Sequence, residues 1–445
     1  MSITELIEAA AHEPVTSTAD GCLKCNVCNT VCPVSRVTDL FPGPKYVGPQ
    51  AQRFRLAPGS PPQAGSVMPV LSPDHTVDLC SGCGFCTNAC PAGVRIAEMN
   101  SRARAQMRAD RRPHLRDWLL GQPDLLGRVG VPLAPLANAA LRNRAARWVG
   151  ETLVGVHRHA PLPTFSRRSF RTRWSRSRGR RLRAPGSADP ERSVVYFHGC
   201  AANYYEPEVA EAAISVLERN GLEVIVPQQV CCGLPLISNG LYAQARARAR
   251  HNLTTLATFA RAGFRIVGTS TSCTHTLKAE YREMLDLDDE DARAVSGATW
   301  DICELLLDLH ERDRLDTRFG RSDRHLPYHP PCQLRSHGIG LPALDLLALV
   351  PGLDAVDLDL DCCGVAGTYG LKREKYDIAM AVGQPLFRKL RESGADEAAC
   401  DSETCRWHIA KATGIRVRHP VQILAAAYVA YAAAEAEAAG APSDG

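Results

Sequence analysis

Cys22-Leu-Lys-Cys25-Asn-Val-Cys28-Asn-Thr-Val-Cys32-Pro33 and Cys80-Ser-Gly-Cys83-Gly-Phe-Cys86-Thr-Asn-Ala-Cys90-Pro91 are two copies of one pattern, C-x2-C-x2-C-x3-C-P. Three thiolates spaced this closely wrap one [4Fe–4S] cluster, and the proline turns the chain away. The fourth cysteine of each run normally ligates the other cluster. The pattern therefore assigns Cys22, Cys25, Cys28 and Cys90 to one cluster and Cys80, Cys83, Cys86 and Cys32 to the other. Two zinc ribbons are the competing reading. Zinc needs only two C-x2-C pairs, which leaves the four cysteines plus proline, present twice, without a reason.

Around these runs the first 112 residues read as one small, mainly helical, ferredoxin-like module with two clusters. Residues 1–20 suggest a short helix leading into the first run. The Pro/Gly density of Phe41 to Pro49 makes a loop, Ala51 to Leu56 can open a helix, and residues 58–72 are loop again. Val94 to Met107 reads as the helix that closes the module.

Residues 113–191 have a different character. Leu115, Trp118 and Leu119 sit at helical spacing, and Pro132 and Pro135 interrupt any longer helix. Leu136 to His157 reads as one amphipathic helix, with Leu141, Ala145, Trp148, Val149, Leu153 and Val156 on its apolar face. Arg144, Arg147 and Glu151 lie opposite, and Arg142 spoils the apolar stripe. Arg167, Arg168, Arg171, Arg173, Arg176, Arg178, Arg180, Arg181 and Arg183 follow, interleaved with Phe165, Phe170 and Trp174. Such a run suits an anionic membrane or partner surface, at about 1 kcal/mol per basic residue near lipid. A solvated linker is the plain alternative. Nucleic acid is set aside, because a net charge of +4 does not imply it.

From residue 192 strands alternate with helices, the pattern of a parallel α/β sheet. Ser193 to His198 is a strand ending at Cys200, Pro207 to Arg219 a helix, and Glu223 to Pro227 a strand running into Cys231-Cys232-Gly233. A helix over about 241–262 and the strand Phe264 to Val267 lead to Cys273. The landmarks then recur as Cys332, Cys362-Cys363-Gly364 and Cys405, at offsets of 132, 131 and 132 residues. A constant offset at three landmarks marks a duplication. It predicts two homologous α/β units, 192–323 and 324–432, facing one another, with a flexible tail over 433–445. The fold class is thus an α+β and α/β mix: a helical two-cluster module followed by a duplicated Cys-Cys-Gly (CCG) domain.

Each repeat carries one metal-ligand set, Cys200, Cys231, Cys232 and Cys273 in the first and Cys332, Cys362, Cys363 and Cys405 in the second. They fall at the carboxyl ends of strands, where open α/β sheets gather ligands. Adjacent cysteines suit a multi-iron cluster better than one tetrahedral ion, and the following glycine lets backbone approach a bulky cluster. Zinc in one site, or a redox-active dithiol, is the alternative. Cys303 reads as buried core, and Cys400 is ambiguous. His198 and His329, at matched strand ends, read as structural histidines; donation to sulfur or proton relay is the other possibility.

The remaining totals are those of a soluble protein: 445 residues, 45% hydrophobic and 22% charged, with eighteen cysteines. Ser2-Ile-Thr-Glu5 looks like a helix cap rather than a signal peptide, so a reducing cytosol is expected, where clustered cysteines mean metal rather than disulfides. No apolar stretch reaches the roughly 18 residues that a spanning helix needs.

Taken together, the motifs resemble the iron–sulfur subunits of heterodisulfide reductases, glycolate oxidases and related flavoenzymes, and most of all the C-subunit family of anaerobic glycerol-3-phosphate dehydrogenases. The stretches that carry the resemblance are Cys32-Pro-Val-Ser-Arg-Val37, Pro42-Gly-Pro-Lys45, Phe197-His-Gly-Cys200, Cys231-Cys-Gly-Leu-Pro-Leu-Ile237, Cys362-Cys-Gly-Val-Ala-Gly-Thr-Tyr-Gly370 and Glu403-Thr-Cys-Arg-Trp407. The resemblance implies an electron-transfer protein that takes electrons from flavoprotein subunits oxidising glycerol 3-phosphate. It also implies passage of those electrons towards menaquinone and a peripheral place on the cytoplasmic membrane surface. The absence of a G-x-G-x-x-G after a strand fits a chain without its own flavin. The same module serving a glycolate-, lactate- or succinate-oxidising flavoenzyme is the runner-up, and a reductase acting on a disulfide at a CCG cluster is a third reading. One departure stands out. The fuller motif ends in C-x-x-C, but Ser402 and Ser270 occupy the earlier cysteine positions here, which leaves the cluster type of the CCG sites open.

Overall fold

The computed structural model describes residues 17–56, 76–109, 113–178, 188–360 and 362–440. Residues 1–16 of the expected first helix, the expected loop 58–72, and Arg180, Arg181 and Arg183 lie outside the described residues.

The second half of the chain is built on two four-stranded, wholly parallel sheets. The first runs β2-β1-β3-β4, from β1 (Ser193–Phe197), β2 (Glu223–Ile225), β3 (Arg265–Gly268) and β4 (Thr299–Asp301). The second repeats that order as β6-β5-β7-β8, from β5 (Arg324–Tyr328), β6 (Leu353–Asp357), β7 (Glu397–Ala399) and β8 (Arg416–Arg418). All of β1 is buried, as a central parallel strand between helical layers must be. The same strand order twice is the duplication made visible.

The repeats are fused through one core. Leu217 and Tyr196 of the first share a buried cluster with Tyr328, Leu347 and Tyr428 of the second. At the seam two buried carboxyl groups approach each other. Asp301 caps the Ile302–Glu311 helix through the Cys303 N–H at 2.9 Å, and Asp401 accepts from the Tyr328 hydroxyl at 2.7 Å. The second oxygen of each has no partner. Burial pushes Asp401 up to about 6, and burial with the Asp401 charge pushes Asp301 up as well. Raised carboxyls make the folded state bind more protons than the unfolded one, so stability falls as pH rises from about 4 through about 6, and the loss persists above. Asp301→Asn keeps the cap and removes one charge. It is expected to stabilise the protein by about 1–3 kcal/mol near pH 8 and by almost nothing near pH 4. Urea midpoints at the two pH values test this, and equal gains at both would refute the shared-charge account.

Residues 113–178 depart from the expected linker. They form short helices laid over the repeats: Leu115–Leu120, Pro123–Gly130, Ala134–Arg142, Arg144–Val154 and Phe170–Arg178. The single helix expected over 136–157 breaks at Asn143, whose side chain caps the second piece through the Ala146 N–H at 3.0 Å. Its faces are also reversed. Glu151 is buried and paired with Arg158 at 2.6 Å, whereas Leu136, Trp148, Val149 and Leu153 point outward, Leu153 being 76% exposed. The basic run is partly anchored: Phe170 is buried in the shared core, Arg171 donates to the Pro227 carbonyl at 2.8 Å, and Arg173 pairs with Glu208 and Glu211. These contacts take Phe170, Arg171 and Arg173 away from any lipid role. At the far end, residues 433–440, expected to be a flexible tail, continue the Pro420–Gly440 helix; their Ala/Glu composition has high helix propensity.

Candidate metal centres

The two N-terminal runs fold as short turns around glycine or asparagine at positive φ, Asn26 (+70°) and Gly84 (+83°), each opening one helical turn. Crossing the fourth cysteines brings Cys22, Cys25, Cys28 and Cys90 round one small cavity near the surface. Cys25 is exposed there. Burial and the charges of Cys22, Cys90 and Cys25 push the Cys28 thiol up. Cys32, Cys80, Cys83 and Cys86 form the second group, buried throughout. Burial pushes Cys83 and Cys86 up, and neighbouring thiols add to it. The Asn100 amide reaches Cys80 Sγ at 3.7 Å and the Val94 N–H reaches Cys90 Sγ at 3.3 Å, contacts of the kind that tune cluster potentials.

In the first repeat the thiols of Cys200, Cys231, Cys232 and Cys273 lie close enough to shift one another's ionisation, Cys200 with Cys231, Cys231 with Cys232, and Cys232 with Cys273. Both of the adjacent thiols, Cys231 and Cys232, belong to this series. Asp124, from the overlying Pro123–Gly130 helix, accepts the Cys231 N–H at 2.6 Å, and Tyr281 donates to the Cys232 carbonyl at 2.9 Å. Ser270, at the missing-cysteine position, is a helix cap: its hydroxyl oxygen accepts the Cys273 N–H at 3.4 Å, and the hydroxyl donates to Glu403 at 3.2 Å.

The second repeat gathers Cys332, Cys362, Cys363 and Cys405 in the same way, with Cys363 Sγ 3.1 Å from Cys405 Sγ. Cys400 is buried beside Cys405, and a His329 ring nitrogen lies within 4.8 Å of the Cys363 and Cys405 sulfurs. The Cys405 thiol is held well below its ordinary value, first by Cys363 and Cys400 and then by His329. Gly364 has φ +90°, and a Cβ there would sit 2.0 Å from the Ala379 carbonyl oxygen. Helix packing and backbone conformation both require glycine at this position. Cys303, as expected, is buried core on the Ile302–Glu311 helix.

These groups are consecutive in space. Cys83 lies close enough to Cys362 and Cys332 for their charges to act on one another. Gly84 permits this approach, since a Cβ there would meet Ser336 Oγ at 2.6 Å. Cys83, three cysteines of the first repeat (Cys200, Cys232 and Cys273) and Cys332, Cys362, Cys363 and Cys405 of the second open onto one cavity of about 230 Å³, with apolar walls from Leu120, Leu126, Leu162 and Leu371. Buried, convergent thiols without disulfide geometry fit iron–sulfur groups well, and the same donors also fit zinc in a repeat. Sequence reasoning missed Asp124 and Asn100, which carry no local signal, and for His329 set a structural role ahead of donation to sulfur.

A family described as "4Fe-4S dicluster domain" matches residues 18–94, and one described as "Cysteine-rich domain" matches 194–278 and 326–410. The C-subunit of the anaerobic glycerol-3-phosphate dehydrogenase of Escherichia coli is 37% identical over 92% of this chain and 98% of its own length. The chain belongs to the C-subunit family of anaerobic glycerol-3-phosphate dehydrogenase. The glycolate oxidase iron–sulfur subunit of Escherichia coli is 27% identical over 91% of the chain and 92% of its own length. The B-subunit of the fumarate reductase (CoM/CoB) of Methanothermobacter marburgensis is 24% identical over 87% of the chain and 67% of its own length. Among the described residues no helix is long and apolar enough to cross a membrane.

Proposed function

We propose that this chain is the electron-transfer subunit of a glycerol-3-phosphate-oxidising complex, joining flavin-bearing partner proteins to menaquinone at the cytoplasmic membrane surface. The observation that carries this reading is the unbroken series of thiol groups, from the exposed Cys25 through the buried Cys83 to the cavity shared by both repeats. Bound clusters would supply one-electron storage; the chain's residues fix their order and wall them from water. Cys22, Cys25, Cys28 and Cys90 would hold the entry cluster, beside the exposed Leu23 (70%) that a donor protein could cover. Cys32, Cys80, Cys83 and Cys86 would hold the next, and the two CCG sets would flank the acceptor cavity.

The membrane reading moves from the arginine run to the outward apolar face of the Ala134–Arg142 and Arg144–Val154 helices. Leu136, Trp148 and Leu153 stand there beside exposed Arg142, Arg144 and Arg158, the composition of an interfacial surface on anionic lipid. Replacing Leu136, Trp148 and Leu153 with serine is expected to weaken co-sedimentation with anionic vesicles at least about tenfold. Unchanged binding would place the contact elsewhere.

Anaerobic affinity purification from native membranes tests the function as a whole. A co-purifying flavoprotein that reduces a menaquinone analogue with glycerol 3-phosphate supports it. A flavoprotein inert to glycerol 3-phosphate would reassign the donor substrate and keep the electron-transfer role.

A further inference from the structure

His329 follows β5 directly, where its N–H donates to the Ala399 carbonyl at 2.9 Å, so the carboxyl ends of the two central strands fix the residue. Pro330 and Pro331 then deliver the chain to Cys332. The imidazole is only 1% exposed, and neither ring nitrogen has a hydrogen-bond partner. A buried imidazole with both nitrogens unsatisfied is costly. The ring nevertheless faces chemistry that could satisfy it: a ring nitrogen, Cys363 Sγ and Cys405 Sγ all lie within 4.8 Å of one another.

The matched histidine of the first repeat is used differently. His198 Nδ1 lies 2.6 Å from the Gly199 carbonyl oxygen, and the ring stands edge-on to Phe170 with centroids 5.5 Å apart. Among the described residues His198 joins no comparable group of metal-ligand atoms. The two repeats thus share a histidine at the same strand end, and only the second turns it towards its thiols.

We propose that His329 is a metal ligand of the second repeat, making that centre a mixed cysteine–imidazole site while the first repeat is held by cysteines alone. It supplies a donor in a repeat where Ser402 replaces the usual cysteine. Imidazole suits both iron and zinc. If the metal is iron, a neutral imidazole in place of a thiolate leaves the centre less negative and raises its reduction potential, the direction known from histidine-ligated clusters. The site of higher potential would then be the one beside Cys83, next in line from the N-terminal clusters.

This inference rests on the second repeat holding metal, and the test separates the two claims. The intact chain, purified anaerobically with and without 15N-histidine, is assayed for iron and zinc per chain. Pulsed EPR of the paramagnetic states, with metal-edge X-ray absorption for any diamagnetic centre, then looks for coordinated nitrogen. The expected result is metal beyond that of the two N-terminal clusters, with a directly bound histidine nitrogen that disappears in His329→Ala. For an iron centre, His329→Cys should retain metal at a lowered midpoint potential. Full metal without bound nitrogen in the wild-type protein would overturn the ligand assignment, as would a nitrogen signal unchanged in His329→Ala. Metal confined to the N-terminal clusters would overturn the reading beneath it. The wild-type measurement needs no variant, and the N-terminal cluster signals report whether each variant has folded.

Discussion

Cys83→Ser is expected to cost the protein its second N-terminal cluster and to cut donor-to-quinone electron transfer by more than about 100-fold, beyond what altering a surrounding hydrogen bond does. Cys83 is the member of its group that faces Cys362 and Cys332 of the second repeat. Its loss would break the series between the N-terminal module and the CCG domains. Serine offers a poorer ligand to iron than a thiolate, and the buried site gives it no other partner of that kind. Iron analysis should show a deficit of about one cluster, while the cluster of Cys22, Cys25, Cys28 and Cys90 stays and remains reducible by the donor. Normal transfer to quinone with the second cluster missing would mean that electrons bypass Cys83, and the proposed order of sites would fail.

Asp117→Asn is expected to destabilise the folded protein by about 3–5 kcal/mol, the cost of leaving buried cations without their anion. Asp117 is fully buried and pairs with Lys372 at 3.0 Å, with Arg116 at 3.1 Å and with Arg108. Beside it, Asp78 meets Lys375 at 2.6 Å and Arg108 at 3.0 Å. Burial alone would raise both carboxyls; Lys372 and Arg108 hold Asp117 well below the usual range, and Lys375 and Arg104 do the same for Asp78. Burial and Lys375 in turn push Lys372 down to about 7, so its charge depends on Asp117 staying ionised. The network draws on the N-terminal module, the covering helices and the second repeat, and its rupture should loosen all three together. Denaturant midpoints of Asp117→Asn, Lys372→Met and the double variant form the test. The double variant should recover part of the loss; a single-variant cost below about 1 kcal/mol would show that the network is not what joins the modules.

Much of this architecture was readable from the chain because its information is local. The cysteine runs specify their turns by spacing alone, and the constant offset between Cys200 and Cys332, Cys231 and Cys362, and Cys273 and Cys405 anticipates two sheets of one strand order. What escaped is non-local. Periodicity finds the two faces of the helices around Trp148 but cannot say which turns inward, and the buried Glu151 depends on Arg158 across a turn. The arginine run looked free because Glu208, Glu211 and the Pro227 carbonyl, which bind Arg173 and Arg171, come much later in the chain. The pull of Asp117 on Lys372 spans 255 positions, from Asp117 to Lys372, and leaves no mark on either neighbourhood. His329 and His198 occupy matched places in the sequence, and only side-chain orientation separates them.

The Pro123–Gly130 helix turns Leu126 into the cavity between the repeats and Leu125 and Val129 out of the protein. A single helix, about 10 Å thick with its side chains, is therefore all that stands between the thiol-lined chamber and the surroundings on that side. If that side rests on lipid, a carrier dissolved in the bilayer has no aqueous journey to make. Its search for the chamber is confined to a plane rather than a volume, and turnover would then depend on how much carrier the membrane holds rather than on its solubility in water.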